Sequence, residues 1–457
     1  MQSLPYLTRD FPGIGGTLKR RAEDFFVQEV PLYEPSGEGE HVYCEIQKVG
    51  LTTFDAVGAI ARALGVSSRE IGYAGMKDAR AVTRQLFSIW GTTPEAVMAL
   101  RLPNIAVQWA ARHGNKLRLG HLAGNRFAIK IRDVDPLKVT TLRPAIDWIE
   151  KRGMPNYFGE QRFGRRGDND KLGAALVRDD NKAILKMLLG GPNPAIDDPH
   201  TVKARGAFDA RDNALSMHAW PRRSGMERRV LARLMKTHRP SAAVRAVDEK
   251  VRRLWVSALQ SRVFNDVVAR RIEAIDEIWD GDLAYKHENG ACFTVESATT
   301  EQSRADAWEI SPTGPLVGYR MSLPLGRELE LEQASLAEVD LGPADFRKAG
   351  KLRVKGARRP LRIRPSEIRL EGGVDEHGGH ITIAFVLPAG SYATVFLREL
   401  MKTDVAVEAS DDPDAESHGD VTNPTNENSG SAEPIPEVGM DRDPSAESPA
   451  DGSTRQT

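Results

Sequence analysis

Gly72-Tyr73-Ala74-Gly75-Met76-Lys77-Asp78-Ala79-Arg80-Ala81-Val82-Thr83-Arg84-Gln85 gathers two glycines, one carboxylate, three cations, a threonine and a glutamine around a predicted turn. A helix is expected before it, over residues 55–64, and an apolar run from Leu86 to Trp90 follows. Gly72 and Gly75 permit tight backbone geometry and close approach by a ligand. Asp78 sits among cationic and amide neighbours, and nearby positive charge favours the ionised carboxylate. Such a turn can present Asp78 as a reactive group. The same residue could equally cap a helix starting near Ala79.

Upstream, Glu23 to Val30 and His41 to Val49 alternate, with Val42, Cys44 and Ile46 on one side, which predicts strands of a sheet with one buried face. Thr53 to Leu64 repeats small and apolar residues at helical spacing, with Thr52 or Thr53 as N-cap, and should pack behind the turn. Downstream, Leu117 to Gly120 and Gly124 to Arg132 are expected to form two strands joined by a glycine-containing turn. Periodicity alone places Phe25 and Phe127 in the core and Asn125 in a turn.

Residues 153–164, Gly-Met-Pro-Asn-Tyr-Phe-Gly-Glu-Gln-Arg-Phe-Gly, interleave basic and aromatic side chains in a way that suits RNA, since phosphates attract cations and splayed bases stack on rings. Lys171 to Lys250 is helical in character, broken at residues 190–194. Arg222, Arg223, Arg228, Arg229, Arg233 and Lys236 are expected on a solvated helix face. A helix from Leu254 to Ile272 aligns Ser257, Ser261 and Asn265 on one side, where a structural hydrogen-bonding role is expected. Short strands are expected around residues 281–283, 293–295 and 309–315. Between Asp345 and Glu367 stand nine cations, Arg347, Lys348, Lys351, Arg353, Lys355, Arg358, Arg359, Arg362 and Arg364, with no acidic residue among them. They read as a phosphate-binding ridge or as a solvated charge run. Ile381, Ile383, Phe385 and Leu387 alternate as a strand, and a closing helix ends near Met401.

The 457 residues suffice for two or three domains, and 40% hydrophobic with 28% charged residues is the balance of a globular protein. No apolar run approaches the roughly 20 residues of a membrane span, and Met1 to Phe11 lacks a secretory pattern, so a cytoplasmic location is expected. Cys44 and Cys292 stand far apart and are expected to be buried thiols, without a disulfide or zinc framework. The net charge of −1 hides an asymmetry: residues 404–457 hold 14 acidic residues and two arginines, a net −12, and the preceding residues carry +11. A basic body suits a polyanion such as RNA. The acidic segment, rich in Pro, Ser and Asn, is expected to be disordered. Gly13, Gly15 and Gly16 lack the strand-to-helix context of a nucleotide-binding fingerprint.

Gly75-Met76-Lys77-Asp78 with Ala81, Thr83 and Gln85 resembles the G-x-K-D-x-x-A-x-T-x-Q signature of the TruD family of tRNA pseudouridine synthases. Further strings resemble the family in order: Glu23-Asp24-Phe25, the G-E-G-E-H of residues 37–41, Gly124-Asn125-Arg126-Phe127, the P-N-Y-F-G-x-Q-R-F-G of residues 155–164, Ser257 to Asn265, Glu309 to Pro315, and Leu387 to Leu400. The resemblance implies an α/β (α+β) fold: a pseudouridine synthase-type catalytic domain with a central mixed or antiparallel sheet, residues 1–152 and 362–403, interrupted by a TRUD insertion domain, residues 153–361. Residues 404–457, and Ala79 where a basic residue is common, depart from the family pattern.

By the same resemblance Asp78 is the catalytic nucleophile, Phe25 and Phe127 are aromatic contacts to the target uridine, Asn125 is a polar contact to it, and Lys19 approaches the carboxylate. The implied partner is tRNA and the implied reaction isomerises uridine 13. The N1–C1′ bond breaks, the uracil turns, and it rejoins through C5, with no metal or organic cofactor. A monomer without an obligate protein partner is expected. Hydrolytic glycosidases pair two carboxylates to activate water, whereas an isomerase must keep water out. Two alternatives stay open: a non-catalytic tRNA-binding or folding factor on the same scaffold, which would not require Asp78, and a nucleosidase that releases uracil, which would need a further acid near it.

Overall fold

The structure, a computed structural model, describes residues 4–77, 79–347, 352 and 354–403. Asp78, Lys348, Lys351, Arg353 and the acidic segment 404–457 lie outside the described residues. In chain order the strands are β1 (Phe25–Pro31), β2 (His41–Val49), β3 (Ile71–Tyr73), β4 (Val82–Trp90), β5 (Ile105–His113), β6 (Leu122–Arg132), β7 (Met154–Pro155), β8 (Leu283–Lys286), β9 (Cys292–Thr294), β10 (Ile310–Leu316), β11 (Ala357–Pro360), β12 (Arg362–Ile363), β13 (Ser366–Asp375) and β14 (Gly378–Pro388). Eight of them form the central sheet in the order β13-β14-β6-β1-β4-β2-β5, with β3 on β4. Only β1 and β4 in it run parallel, so the fold is α/β around a mixed sheet. A four-stranded sheet, β11-β10-β8-β9, and the short β7–β12 pair are built from the chain between.

The predicted alternation sets the sheet's buried face. Register aligns Lys48 with Thr83, Thr83 with Val27, Val27 with Phe127, and Phe127 with Phe385, and side chains so aligned share a face. Two apolar cores lie on that face. One packs Cys44, Phe87 and Ile89 against Ala56, Val57 and Ile60 of the Thr53–Leu64 helix. The other packs Phe25, Phe127, Ile383 and Phe385 against Phe396, Leu397 and Leu400 of the closing helix, Ala393–Met401. Each fully buried Leu or Phe of this kind contributes roughly 1.5–3 kcal/mol. Glu29, Lys48, Thr83, Gln85 and Asn125 form a polar seam on the same face.

Thr52 caps the Thr53–Leu64 helix in a reciprocal box with Asp55, and Gly65 ends it at φ 68°. The Glu249–Arg270 helix forms as expected, starting earlier than Leu254. Asn265 clasps the backbone of one residue: its Oδ1 accepts from Phe158 N at 2.8 Å and its Nδ2 donates to Phe158 O at 2.9 Å. Arg162 Nε donates to Ser261 Oγ at 3.3 Å.

Four expectations are corrected. Among the described residues no helix begins near Ala79; the chain bends and enters β4 at Val82. Leu117 to Gly120 is a loop rather than a strand, because Leu117 N is bound by Ser88 Oγ and Gly120 N by Ala74 O instead of a neighbouring strand. Cys44 is buried but Cys292, on the short β9, is exposed. The basic span is no continuous ridge: Arg358, Arg359 and Arg362 are buried, at 6%, 7% and 1% exposure.

Candidate active site

The residues on either side of position 78 are held by the sheet and by the helix behind it. Thr53 Oγ1 accepts from Lys77 N at 3.0 Å and donates to Gln85 Oε1 at 3.1 Å, while Gln85 Nε2 donates to Gly75 O. One threonine on the helix and one glutamine on β4 thus fix the backbone of Gly75 to Lys77. Lys77 Nζ lies 2.7 Å from Glu29 Oε1, both side chains being buried, and Glu29 Oε2 accepts from Leu86 N at 2.8 Å. Lys48, fully buried, donates from Nζ to Leu51 O at 2.5 Å and reaches Lys77 O at 3.5 Å.

Beside this turn opens a cleft of about 260 Å³. The central sheet contributes Phe25, Val27, Asn125 and Phe127 to its lining, the turn contributes Met76 and Lys77, and Lys19 closes one side. Gly159, Glu160 and Gln161 from the Pro-Asn-Tyr-Phe-Gly segment and Ser391 to Thr394 from the start of the closing helix complete the wall. Four of the five residues singled out in the sequence, Lys19, Phe25, Asn125 and Phe127, therefore meet around one cleft. The fifth, Asp78, lies outside the described residues, directly after two that line it.

The cleft has the features of a site that takes a flat polar ring. Phe25 and Phe127 meet edge to face, with centroids 6.5 Å apart at 76°. Lys19 Nζ stands 4.6 Å from the Phe25 centroid, a cation–π contact. Lys19 holds φ 54°, in the left-handed region that a residue with a side chain uncommonly adopts. Asn125 Oδ1 is buried without a hydrogen-bond partner. A buried amide oxygen costs free energy until a donor reaches it, and the imide N–H of a uracil is such a donor.

The sequence had marked neither Glu29 nor Lys48. Both follow apolar residues on the inward phase of their strands, Phe25-x-Val27-x-Glu29 and Val42-x-Cys44-x-Ile46-x-Lys48. A charge in that phase is the available signal for a buried polar site. Gly159 to Gln161 and Ser391 to Thr394 fell inside motifs already quoted, without a role for the cleft.

Residues 2–400 match the family model of tRNA pseudouridine synthase D (TruD). The chain belongs to the TruD family of tRNA pseudouridine synthases. It is 45% identical over 402 residues to the tRNA pseudouridine synthase D of Geotalea daltonii, covering 87% of this chain and 100% of that one. It is 46% identical over 400 residues to that of Geobacter metallireducens, covering 87% and 97%. A crystal structure of a Methanosarcina mazei protein described as a TruD superposes with a TM-score of 0.78 at 30% identity, covering 88% and 96%. As a TruD member the chain is a pseudouridine-forming isomerase. Among the described residues, no helix is long and apolar enough to cross a membrane.

Proposed function

We propose that this TruD enzyme converts uridine 13 of tRNA to pseudouridine with Asp78 as the nucleophile, acting as a cytoplasmic monomer without a cofactor. Residues 153–361 are assigned as the TRUD insertion and residues 1–152 with 362–403 as the catalytic domain. The supporting observation is that Lys19, Phe25, Asn125 and Phe127 line one cleft with Met76 and Lys77, the two residues before Asp78.

In this reading the target uridine leaves the stack, at a cost of a few kcal/mol offset by protein contacts. Its base lies against the rings of Phe25 and Phe127 and its edge meets Asn125. The Asp78 carboxylate attacks C1′, or takes the 2′ hydrogen, as the N1–C1′ bond breaks and its electron pair leaves with the uracil. The base turns and C5 bonds to C1′ as the Asp78–C1′ ester bond breaks, or as the hydrogen taken from C2′ is returned there; the C5 proton is lost to solvent and N1 takes up a proton. The rings cover the detached base and keep water from C1′. The cations of the turn and Lys19 favour an ionised Asp78.

Tritium release from tRNA labelled at C5 of uridine tests this. Wild-type enzyme should release label equivalent to one uridine per tRNA, mapping to position 13, and Asp78→Asn should be slower by at least about 10³-fold, some 4 kcal/mol in barrier. Free uracil would indicate a nucleosidase. Binding without release would indicate a tRNA-binding factor, and release mapping elsewhere would refute position 13.

A further inference from the structure

Two chain segments far apart in sequence make the cleft wall that does not come from the sheet, residues 159–161 and 391–394. Arg359, on β11, joins them from behind. Its Nη2 donates to Asn156 Oδ1 at 2.5 Å and to Gly390 O at 2.8 Å. Its guanidinium carbon lies 4.3 Å from the Phe158 centroid, and Phe158 meets the cleft-lining Tyr392 ring at 6.0 Å and 63°.

The charge of Arg359 is unanswered. Its acceptors are neutral, its Nε makes no hydrogen bond, and among the described residues no carboxylate pairs with it. Other buried arginines hold one at close range: Arg132 has Asp24 at 2.6 Å, Arg271 has Asp282 at 2.6 Å, and Arg358 has Glu332 at 2.5 Å. Arg362 also bonds only neutral oxygens, but all three of its nitrogens are satisfied and Asp276 and Asp306 act on it favourably. Arg359 has its pKa pulled down to about 10 by burial, with the Tyr392 hydroxyl opposing the fall and a second cation, Arg162, adding to it. It remains charged at neutral pH. A buried charge without a counter-charge destabilises the fold, and a Met or Leu would fill the same space without that cost.

We propose that Arg359 is a positioning residue for the detached base: it fixes the Phe158 and Tyr392 rings and keeps one unneutralised positive charge behind the cleft wall, where it stabilises the uracil anion. The inference rests on the reading above, in which uracil departs with the electron pair of the N1–C1′ bond. The negative charge of the phosphates is present before and after that step. The charge on the base develops only during it, so a fixed cation in a site of low dielectric favours the transition state over the bound substrate.

The test compares Arg359→Lys with Arg359→Met and Arg359→Gln in single-turnover tritium release on C5-labelled tRNA, alongside filter binding and thermal unfolding. Met and Gln should each lose at least about tenfold in rate with tRNA Kd within about threefold of wild type, and Lys should recover most of the rate. Gln, neutral but able to bond Gly390 O, keeps the comparison usable if Met does not fold. Equal loss in Lys, Met and Gln would overturn the proposal, because the fork's geometry and not its charge would then matter. Loss confined to Kd or unfolding temperature would overturn it as well. A failure here leaves wild-type release and its dependence on Asp78 intact, whereas a failure of the Asp78 reading would appear in Asp78→Asn alone.

Discussion

Arg271, Asp282, Glu328, Glu332 and Arg358 form a closed ionic cluster packed between the Glu249–Arg270 helix and the β8–β10–β11 sheet. Arg271 is fully buried and bridges Asp282 and Glu328 at 2.6 Å each, and Arg358 binds both oxygens of Glu332 at 3.1 and 2.5 Å. Around the cleft the buried charges are sparser. Glu29 and Lys77 make one pair that opens onto the cleft, and Arg359 has no carboxylate. Charges paired with one another inside a scaffold leave nothing for a ligand. Charges facing or backing a cleft stay available to what enters it, at a cost in stability that the scaffold must absorb.

The sharpest way to break the cluster is Glu332→Ala, which removes the carboxylate that holds both terminal nitrogens of the buried Arg358. Removing one partner of a buried pair costs about 3–5 kcal/mol, so the midpoint of denaturant unfolding should fall steeply. The release rate per folded molecule should change little, because none of these residues lines the cleft. A rate loss exceeding the loss of folded protein would show that the two regions are coupled.

The cluster also carries a pH dependence. Its two arginines face three carboxylates, one more negative charge than they neutralise, and Glu328 Oε1 has no hydrogen-bond partner. Burial therefore pushes the Glu328 carboxyl up to about 8 from 4.5, with the charges of Glu332 and Asp282 adding to the rise and Arg271 opposing it. Glu332 is raised in the same direction, also chiefly by burial. A carboxyl whose folded pKa is raised binds its proton more tightly in the folded state. Its stabilising contribution is complete below pH 4.5 and is lost as pH rises through about 8, with a slope approaching about 1.4 kcal/mol per pH unit. Unfolding midpoints should accordingly fall from pH 5 to pH 8, and Glu328→Gln, neutral throughout, should flatten that slope. An unchanged slope in the variant would remove Glu328 as its source.

Much of this architecture was legible because strand alternation and helix caps are local. β1, β2, β14 and the Thr53–Leu64 helix lie where period and capping put them, and the closing helix ends at Met401, where the family motif put it. β5 was not legible, since Ala106-Val107-Gln108-Trp109-Ala110-Ala111 offers no clean alternation. The nine-cation span misled for a different reason: a run of charges shows no partners. Glu332, Ser311, Asn156 and Gly390 lie far from Arg358, Arg359 and Arg362 in sequence, and only the fold turns a basic string into buried hydrogen bonds. The cleft residues were legible through motif resemblance, not periodicity, which makes Phe25 and Phe127 core. They are both: buried at 6% and 7% exposure and lining the cleft.

Glu29→Gln draws the distinction most finely. As in Glu332→Ala, a buried cation loses its carboxylate, yet Lys77 lines the cleft and its ammonium can turn into solvent there, a path that Arg358 lacks. Gln keeps the shape and can still accept from Leu86 N, so the stability loss should stay near 1 kcal/mol, the scale of one hydrogen bond. The rate should suffer more. An unpaired Lys77 would swing across the cleft beside position 78 and shift the backbone that Thr53 and Gln85 hold, lowering the single-turnover rate by about tenfold, roughly 1.4 kcal/mol, with tRNA Kd unchanged. Lys77→Met in the same background should restore part of that rate by removing the stray cation. If instead the double variant is slower than Glu29→Gln alone, Lys77 acts on the substrate directly and Glu29 only restrains it.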